Sequence, residues 1–397
     1  MRRHSTYALL LVTTLPLYAY AQNSVTLYGV VDLGMLYTNN VNGKSQIQMK
    51  SGGQKGGRFG LIGEEGLGAQ TKAVFRLENG FNAATGALGQ NGALFGRAAY
   101  VGLANDTYGT VTLGRQNQST YTVITGLLQL PAGGTWASTG GGYGTHVGDI
   151  DNLDGANVIN NSIKYQSPKI AGFTAVGLYS FGGKPGSVSQ NGIYDIALGY
   201  ENGPIAAGVG YGFAQNPNFS LWGSKPNDSQ TGSNISNVIF SGYASASSNQ
   251  IFVAGAGYTF GPARLSLVYS NVQFSGLGSV GGVTTGTAAT YRGEAVFNTG
   301  EVNVTYQITP ALFWGNAYSY TKDSGANDSG GAHYQLFVSS MIYSLSKRTA
   351  VYGLVAYQRA NGTNSLGKPA VAQIGGITSP SSNNHQDLAV AGLIHRF

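Results

Sequence analysis

The sequence predicts an all-β protein, a transmembrane antiparallel β-barrel of about sixteen strands with short turns at one end and long loops at the other. Three observations predict this fold. Apolar and polar residues alternate with period two along many segments of about ten residues. Short turns alternate with long Gly-, Asn- and Ser-rich stretches, as in barrels with tight periplasmic turns and long external loops. An export signal precedes these segments, and no later stretch reaches the roughly 20 apolar residues of a membrane helix.

The N-terminal residues are organised as a secretory signal peptide. A pair of arginines comes first, an apolar run spans residues 8–17, and residues 19–21 read A-Y-A, a typical cleavage site. The apolar run is too short for a transmembrane anchor. We therefore expect residues 1–21 to be removed and residues 22–397 to form one barrel domain.

The strand pattern begins directly after the signal and continues to the last residue. In the segment SVTLYGVVDLGMLY, Val25, Leu27 and Met35 share one face, and Asp32 lies on the other. The same alternation recurs in TKAVFRLE, in NQIFVAGAGYTFG and in EVNVTYQITP. Since backbone groups cannot stay unpaired in hydrocarbon, we expect the strands to close into a ring, and about sixteen strands leave an aqueous channel. A soluble β-sandwich or propeller is the alternative, but no blade-length repeat is visible.

Composition excludes several other classes. The chain has 62 Gly, 25 Tyr, no Cys and only 10% charged residues, against about 25% charged residues in ordinary globular domains. Without Cys there is no disulfide framework and no thiolate metal site. The His residues lack metal-binding spacing, and neither a Walker phosphate-binding loop nor a G-x-S-x-G turn occurs. We therefore expect no enzyme activity, no cofactor and no metal, and, because basic residues are scattered, no nucleic-acid partner.

Several stretches resemble a known family. They are SVTLYGVVDLG (24–34), GRFGLIGEEGLG (57–68), AVFRLENGF (73–81), FGRAAYVGL (95–103), YGTVTLGRQ (108–116), NSIKYQSP (161–168), LSKRTAVY (345–352) and AGLIHRF (391–397). Together they resemble the trimeric general porins of Gram-negative outer membranes, in particular the betaproteobacterial and neisserial type. The resemblance implies a barrel of about sixteen strands, a homotrimer with one pore per protomer, and passive diffusion of small hydrophilic solutes across the outer membrane. It also implies that the third external loop, from about Asn117 to about Asn160, folds into the pore.

The resemblance and the strand parity together select candidate residues for a pore constriction. Charged side chains at the narrowest point set selectivity, and basic wall residues facing an acidic loop create a transverse field. The wall candidates, which alternate with apolar neighbours, are Arg58, Arg97, Arg76, Lys72, Lys164 and Arg264. Of these, Arg58 and Arg97 match arginines that line the constriction in the family. The acidic candidates of the third loop are Asp149, Asp151 and Asp154.

Three positions depart from the family pattern. Ile62, Val158 and Ile394 stand where basic residues are common. We expect a weak anion preference from the basic residues that remain. The apolar replacements leave open, as an alternative, a channel selective for aromatic or organic acids. A surface adhesin or structural barrel with a plugged lumen is a third alternative.

The final strand ends on Phe397. By parity Phe397 and Leu393 face lipid, whereas Ile394 faces the lumen. This strand is expected to pair with the first one, which removes an exposed sheet edge. The resemblance implies that the terminal aromatic residue is read by the barrel-assembly machinery, and that the protein contacts outer-membrane lipid and lipopolysaccharide.

Overall fold

The structure, a computed structural model, describes residues 23–128, 141–144, 146–327 and 330–397; the predicted signal peptide lies outside them. The described residues form one antiparallel sheet of seventeen strand segments. Their bounds are β1 Ser24–Val41, β2 Lys44–Ser51, β3 Arg58–Gly68, β4 Thr71–Gly80, β5 Ala98–Asn105, β6 Gly109–Gln116, β7 Ile159–Gln166, β8 Phe173–Ser180, β9 Ile193–Asn202, β10 Ile205–Gln215, β11 Ser248–Phe260, β12 Ala263–Ser275, β13 Glu294–Gln307, β14 Leu312–Asp323, β15 Ala332–Ser344, β16 Thr349–Gly362 and β17 His385–Arg396.

Two of these segments occupy a single place in the ring. β2 pairs with the C-terminal half of β1, and β3 pairs with its N-terminal half. β2 and β3 thus form one long strand that residues 52–57 interrupt. The described residues therefore form a barrel of sixteen strands, as the sequence predicted. The ring closes between β1 and β17, and Gly29 and Phe397 exchange two backbone hydrogen bonds of 3.0 and 3.1 Å. The edge of the last strand is thus paired, and the prediction for it is confirmed.

The two faces of the strands differ as the period-two pattern predicted. On β13, Val302 and Val304 are exposed on the outer face, while Thr299 and Asn303 are buried on the inner face. Aromatic side chains on the outer face lie near strand ends, as in Tyr258 and Phe260 at the end of β11. This arrangement gives an apolar band with aromatic girdles, which suits a bilayer.

The connections are short at one end of the barrel and long at the other. Residues 69–70, 106–108 and 203–204 make tight turns, whereas the segments 117–158 and 216–247 are long. The short turns mark the periplasmic end and the long loops mark the external end. No helix in the described residues has both the length and the apolar character needed to cross a membrane.

Described residues of several external loops are buried together with the inner faces of the strands. Among these loops are loop 3 (117–158), loop 5 (216–247) and loop 8 (363–384). Loop 3 begins with a π-helical turn, Tyr121–Thr125, that continues into the α-helical turn α1, Gly126–Leu128.

Two apolar clusters hold these loops against the inner wall. One contains Ile124 and Ile150 of loop 3, loop 5 residues and the inner faces of β8 to β13. The other contains Tyr143 of loop 3, Ile374 and Ile377 of loop 8, and the inner faces of β14 to β17 and β1. The core thus lies inside the barrel against these strands, and the open space lies beside β3 to β7.

Candidate functional site

An open recess of about 480 Å³ lies between the wall formed by β3 to β7 and the start of loop 3. The charged wall residues that line it are Arg58, Arg76, Glu78, Arg97 and Lys164. The loop face that lines it is neutral and consists of Asn117, Tyr121, Thr122, Thr125 and Gly126. Four basic side chains and one carboxylate therefore share this space, which gives the wall a positive potential.

Glu78 on β4 binds two of the arginines. Arg76 Nη2 lies 2.5 Å from Glu78 Oε2, and Arg97 Nε lies 2.7 Å from Glu78 Oε1. The Tyr28 hydroxyl donates to Glu78 Oε2 at 2.6 Å and accepts from Arg76 Nε at 2.8 Å. Glu78 is only 3% exposed. Because charge-assisted hydrogen bonds fix geometry as well as charge, Glu78 orients both guanidinium groups and neutralises part of their charge.

Arg58 differs from its neighbours. It lines the same recess and is partly exposed, but its side chain forms no hydrogen bond or ion pair with a described residue. A guanidinium group carries five N–H donors and keeps its charge. Arg58 therefore presents donors and a full positive charge to whatever enters the recess.

The residues before Arg58 are held in place by a buried carboxylate on β1. Asp32 Oδ2 accepts hydrogen bonds from the backbone N–H groups of Gln54 and Lys55 at 2.7 and 2.6 Å. Asp32 Oδ1 accepts from the Tyr352 hydroxyl at 2.8 Å. These bonds fix residues 52–57 against the inner wall, and this segment leads directly into Arg58 on β3.

Loop 3 is fixed to the wall at its start. Asp195 of β9 accepts hydrogen bonds from the backbone N–H and the hydroxyl of Thr120 at 2.8 and 2.9 Å. Lys164 Nζ donates to the Asn117 carbonyl at 3.0 Å and to the Thr122 hydroxyl at 2.7 Å. These contacts place the neutral face of loop 3 opposite the arginines.

The structure separates the predicted wall residues into two groups. Arg58, Arg76, Arg97 and Lys164 come together in the recess. Lys72 does not, because it lies at the periplasmic rim and pairs with Glu64 at 3.0 Å. Arg264 also lies outside the recess, where it donates to the Leu127 carbonyl. The alternation of a strand predicts which face a side chain occupies, but not its height in the barrel. The prediction that Lys72 and Arg264 line the constriction therefore differs from their positions in the structure.

The predicted acids of loop 3 are mostly buried. Asp149 is 7% exposed and accepts backbone hydrogen bonds from Asp154 and Ala156 at 2.8 and 3.0 Å. Asp151 is fully buried. A carboxylate without water contact cannot line an aqueous passage, so the expectation that both acids face the channel is corrected. Asp154 is partly exposed, but it does not line the recess.

Most residues that line the recess were not among the predicted site residues, and Glu78 and Tyr121 are two of them. Glu78 lies two residues after Arg76 on β4, so the alternation of the sequence places both on the inner face. The sequence does not indicate that Glu78 pairs with two arginines. Tyr121 carried no signal in the sequence. Burial raises the pKa of Tyr121 above its ordinary value, against the opposing effect of Arg97, so its hydroxyl stays neutral at physiological pH.

The positions that depart from the basic pattern do not share one environment. Ile62 pairs with Thr26 and Arg76, which places it on the inner face. Val158 and Ile394 are 4% and 1% exposed, so they are covered rather than open to the lumen.

Comparison with known proteins agrees with this architecture. The family model described as Gram-negative porin matches residues 6–363. An outer membrane porin protein of Bordetella pertussis is 28% identical over 378 residues, which cover 86% of this chain and 90% of the relative. Outer membrane porin protein 32 of Delftia acidovorans is 29% identical over 386 residues, which cover 96% and 95% of the two chains.

Solved structures show the same fold. The anion-selective porin from Comamonas acidovorans has a TM-score of 0.69 at 21% identity, with 95% of this chain and 100% of that chain covered. The trimer form of OmpT from Vibrio cholerae has a TM-score of 0.63 at 16% identity, with 94% and 99% covered. Together with the closed barrel and the charged recess described above, the family match over most of the chain establishes that this protein belongs to the Gram-negative porin family and forms a channel in the outer membrane.

Proposed function

We propose that small hydrophilic solutes and ions diffuse passively along the recess beside β3 to β7, and that the recess gives the channel a preference for anions. The observation that carries this proposal is the excess of basic side chains over carboxylates on its wall, with Arg58 unpaired among the described residues. A ring or ladder of one charge sign at a narrow point favours ions of the opposite sign.

The opposite side of the recess supports the same preference. The described loop residues that line it carry hydroxyl, amide and backbone groups but no carboxylate. A cation in the recess would thus approach Glu78 alone, and that carboxylate is already bound by Arg76 and Arg97. The relative from Comamonas acidovorans is described as anion-selective, which agrees with this proposal.

The experiment is a reversal-potential measurement on the purified protein in a planar bilayer with a potassium chloride gradient. A potential of the sign expected for chloride permeation supports the proposal, and a potential of the sign for potassium overturns it. Swelling of protein-containing liposomes in a small neutral sugar tests the channel itself. Failure to swell would favour a plugged structural barrel or an adhesin.

The alternative of a channel selective for aromatic or organic acids is not favoured. It depended on apolar residues in place of basic ones, but Val158 and Ile394 are covered and offer no surface to a passing solute. Ile62 is the exception, because it is partly exposed on the inner face.

We further propose that the protein works as a homotrimer in contact with outer-membrane lipid and lipopolysaccharide, after removal of residues 1–21. Its apolar outer face and the trimeric form of the Vibrio cholerae relative support this. Phe397 lies on the outer face with its ring over Gly29, where a Cβ atom would collide with it. We propose that the barrel-assembly machinery recognises Phe397 before β17 pairs with β1. Chemical crosslinking of outer membranes tests the trimer, and a monomer-only pattern would contradict it.

A further inference from the structure

A buried histidine lies between two carboxylates where loop 3 meets the wall. His146 Nδ1 is 2.6 Å from Asp151 Oδ2, and His146 Nε2 is 3.2 Å from Glu301 Oε2. The Ser270 hydroxyl on β12 donates to Asp151 Oδ2 at 2.6 Å. His146 and Asp151 belong to loop 3, whereas Glu301 lies on β13. The cluster therefore joins residues 146–151 of loop 3 to β12 and β13.

The position of the ring between two carboxylates favours its protonated state. A neutral imidazole has one N–H donor and one lone pair, whereas an imidazolium has two donors. Nδ1 makes a hydrogen bond with Asp151, and Nε2 lies within ion-pair distance of Glu301 without hydrogen-bond geometry. An imidazolium therefore places a positive charge between the two carboxylates, whereas a neutral ring leaves them without a cation. We infer that His146, as an imidazolium, is a positioning residue that locks loop 3 to β12 and β13, and that the lock opens when the ring loses its proton at alkaline pH.

The electrostatic surroundings support the charged form. Burial by itself would lower the pKa of His146, but Asp151 and then Glu301 outweigh it and hold the pKa well above the ordinary value. A raised pKa means that the stabilising contribution is complete below the unfolded value of about 6.5 and is lost as pH rises through the higher folded value. The pKa of Asp151 is lowered: burial opposes ionisation, but His146 outweighs it. Asp151 thus stays ionised at pH values where an ordinary aspartate begins to take up a proton, and the lock fails on the alkaline side.

The other groups around the cluster do not change the expectation that the lock opens as pH rises. Within loop 3, burial and the charge of Asp154 raise the pKa of Asp149 well above its ordinary value. Its ionisation with rising pH would add negative charge near Asp151, and this charge would add to the repulsion between the carboxylates once His146 is neutral. β12 contributes the neutral Ser270, and loop 5 contributes the neutral Asn237 and Phe240 beside Gly148. Among the described residues, His146 is the only cation paired with these carboxylates.

Opening the lock has a consequence for the channel. Residues 117–126 of loop 3 line the recess, whereas the residues around Ile150 pack against the inner wall. Once His146 is neutral, two buried carboxylates lose their shared cation, and uncompensated buried charge is costly. Residues 146–151 then separate from the wall and move into the passage. We expect the frequency of transient channel closures to rise several-fold at alkaline pH.

The experiment records closing events of the full-length protein in planar bilayers, at fixed salt and voltage, from mildly acidic to alkaline pH. Wild type should show a rise with a defined midpoint. Glu301→Gln removes one carboxylate and should lower that midpoint by about one pH unit or more, since an opposite charge at this range shifts a pKa by about 1–3 units. If Glu301→Gln does not assemble, Asp151→Asn tests the same shift.

Further variants separate a switch from a merely structural contact. His146→Asn should close frequently at every pH, whereas the double variant His146→Gln with Asp151→Asn should restore quiet channels without pH dependence. His333→Asn, a change at a histidine away from the loop, is the matched control and should keep the wild-type midpoint. Asp149→Asn should also keep the transition. A flat wild-type profile, an unchanged midpoint without Glu301 or Asp151, or loss of the transition in Asp149→Asn or His333→Asn would overturn the inference.

Discussion

Replacing Arg58 by glutamine tests how the recess selects ions. Arg58 lines the passage, and its side chain has neither a hydrogen bond nor an ion pair with any described residue. Its removal takes away one positive charge but leaves the contacts of Glu78 with Arg76 and Arg97 intact. The change should therefore act on permeating ions rather than on the fold.

The size of the effect follows from Coulomb's law in water. A unit charge changes the energy of a monovalent ion by about 1 kcal/mol at about 4 Å and by about half that at about 8 Å. Screening at about 0.1 M salt, with a Debye length of about 10 Å, reduces both values. Removing the positive charge destabilises an anion in the recess and stabilises a cation there by the same amount. The free-energy difference between the two ions therefore changes by about 0.5–1.4 kcal/mol. The anion-to-cation permeability ratio should therefore fall about two- to tenfold.

The assay is the reversal potential in a salt gradient, measured on folded wild type and Arg58→Gln. The matched control is Lys72→Gln, which removes the same charge at the periplasmic rim, where Lys72 pairs with Glu64. The control should change the ratio much less. An unchanged ratio in Arg58→Gln, or an equal fall in both variants, would refute the assignment of selectivity to the recess.

Three further changes test other parts of the account. Glu78→Gln removes the carboxylate of the recess and should raise the permeability ratio for anions; a fall in reversal-potential measurements would count against the proposed field. Tyr352→Phe deletes the hydroxyl that donates to buried Asp32 and should lower the free energy of unfolding by about 1–3 kcal/mol. Urea titration of the folded barrel measures this loss, and Tyr357→Phe, on the outer face, should cost less. Deleting Phe397 should lower the amount of assembled protein in outer membranes, and wild-type levels on immunoblots would contradict an assembly role.

The barrel could be predicted from the sequence because its determinants are local. Alternation in a segment such as EVNVTYQITP fixes which side chains face lipid, and hydrocarbon forces the strands to pair. The order of strands then follows, because each short turn joins neighbours. The interruption of the second strand at residues 52–57 was not predicted, because it depends on Asp32 and Tyr352, which lie far from it in sequence.

The recess could be predicted only in part. Arg58, Arg76 and Arg97 were identified because parity and family resemblance place them on the inner wall. The roles of the loop acids were not, since the path of a loop depends on long-range contacts such as those of Asp151 with Ser270. His146 lacked any metal-binding spacing and gave no other signal, because its partner Glu301 lies on a distant strand.

The most direct test of the account asks whether solutes pass along the arginine wall. The chain contains no Cys, so Thr110→Cys on β6 places a single thiol in the recess. Val302→Cys on the outer face serves as the control. An anionic methanethiosulfonate reagent should lower the conductance of Thr110→Cys, should react faster than its cationic counterpart, and should leave Val302→Cys unchanged. A Thr110→Cys channel that neither reagent affects, or that the cationic reagent modifies faster, would contradict the account.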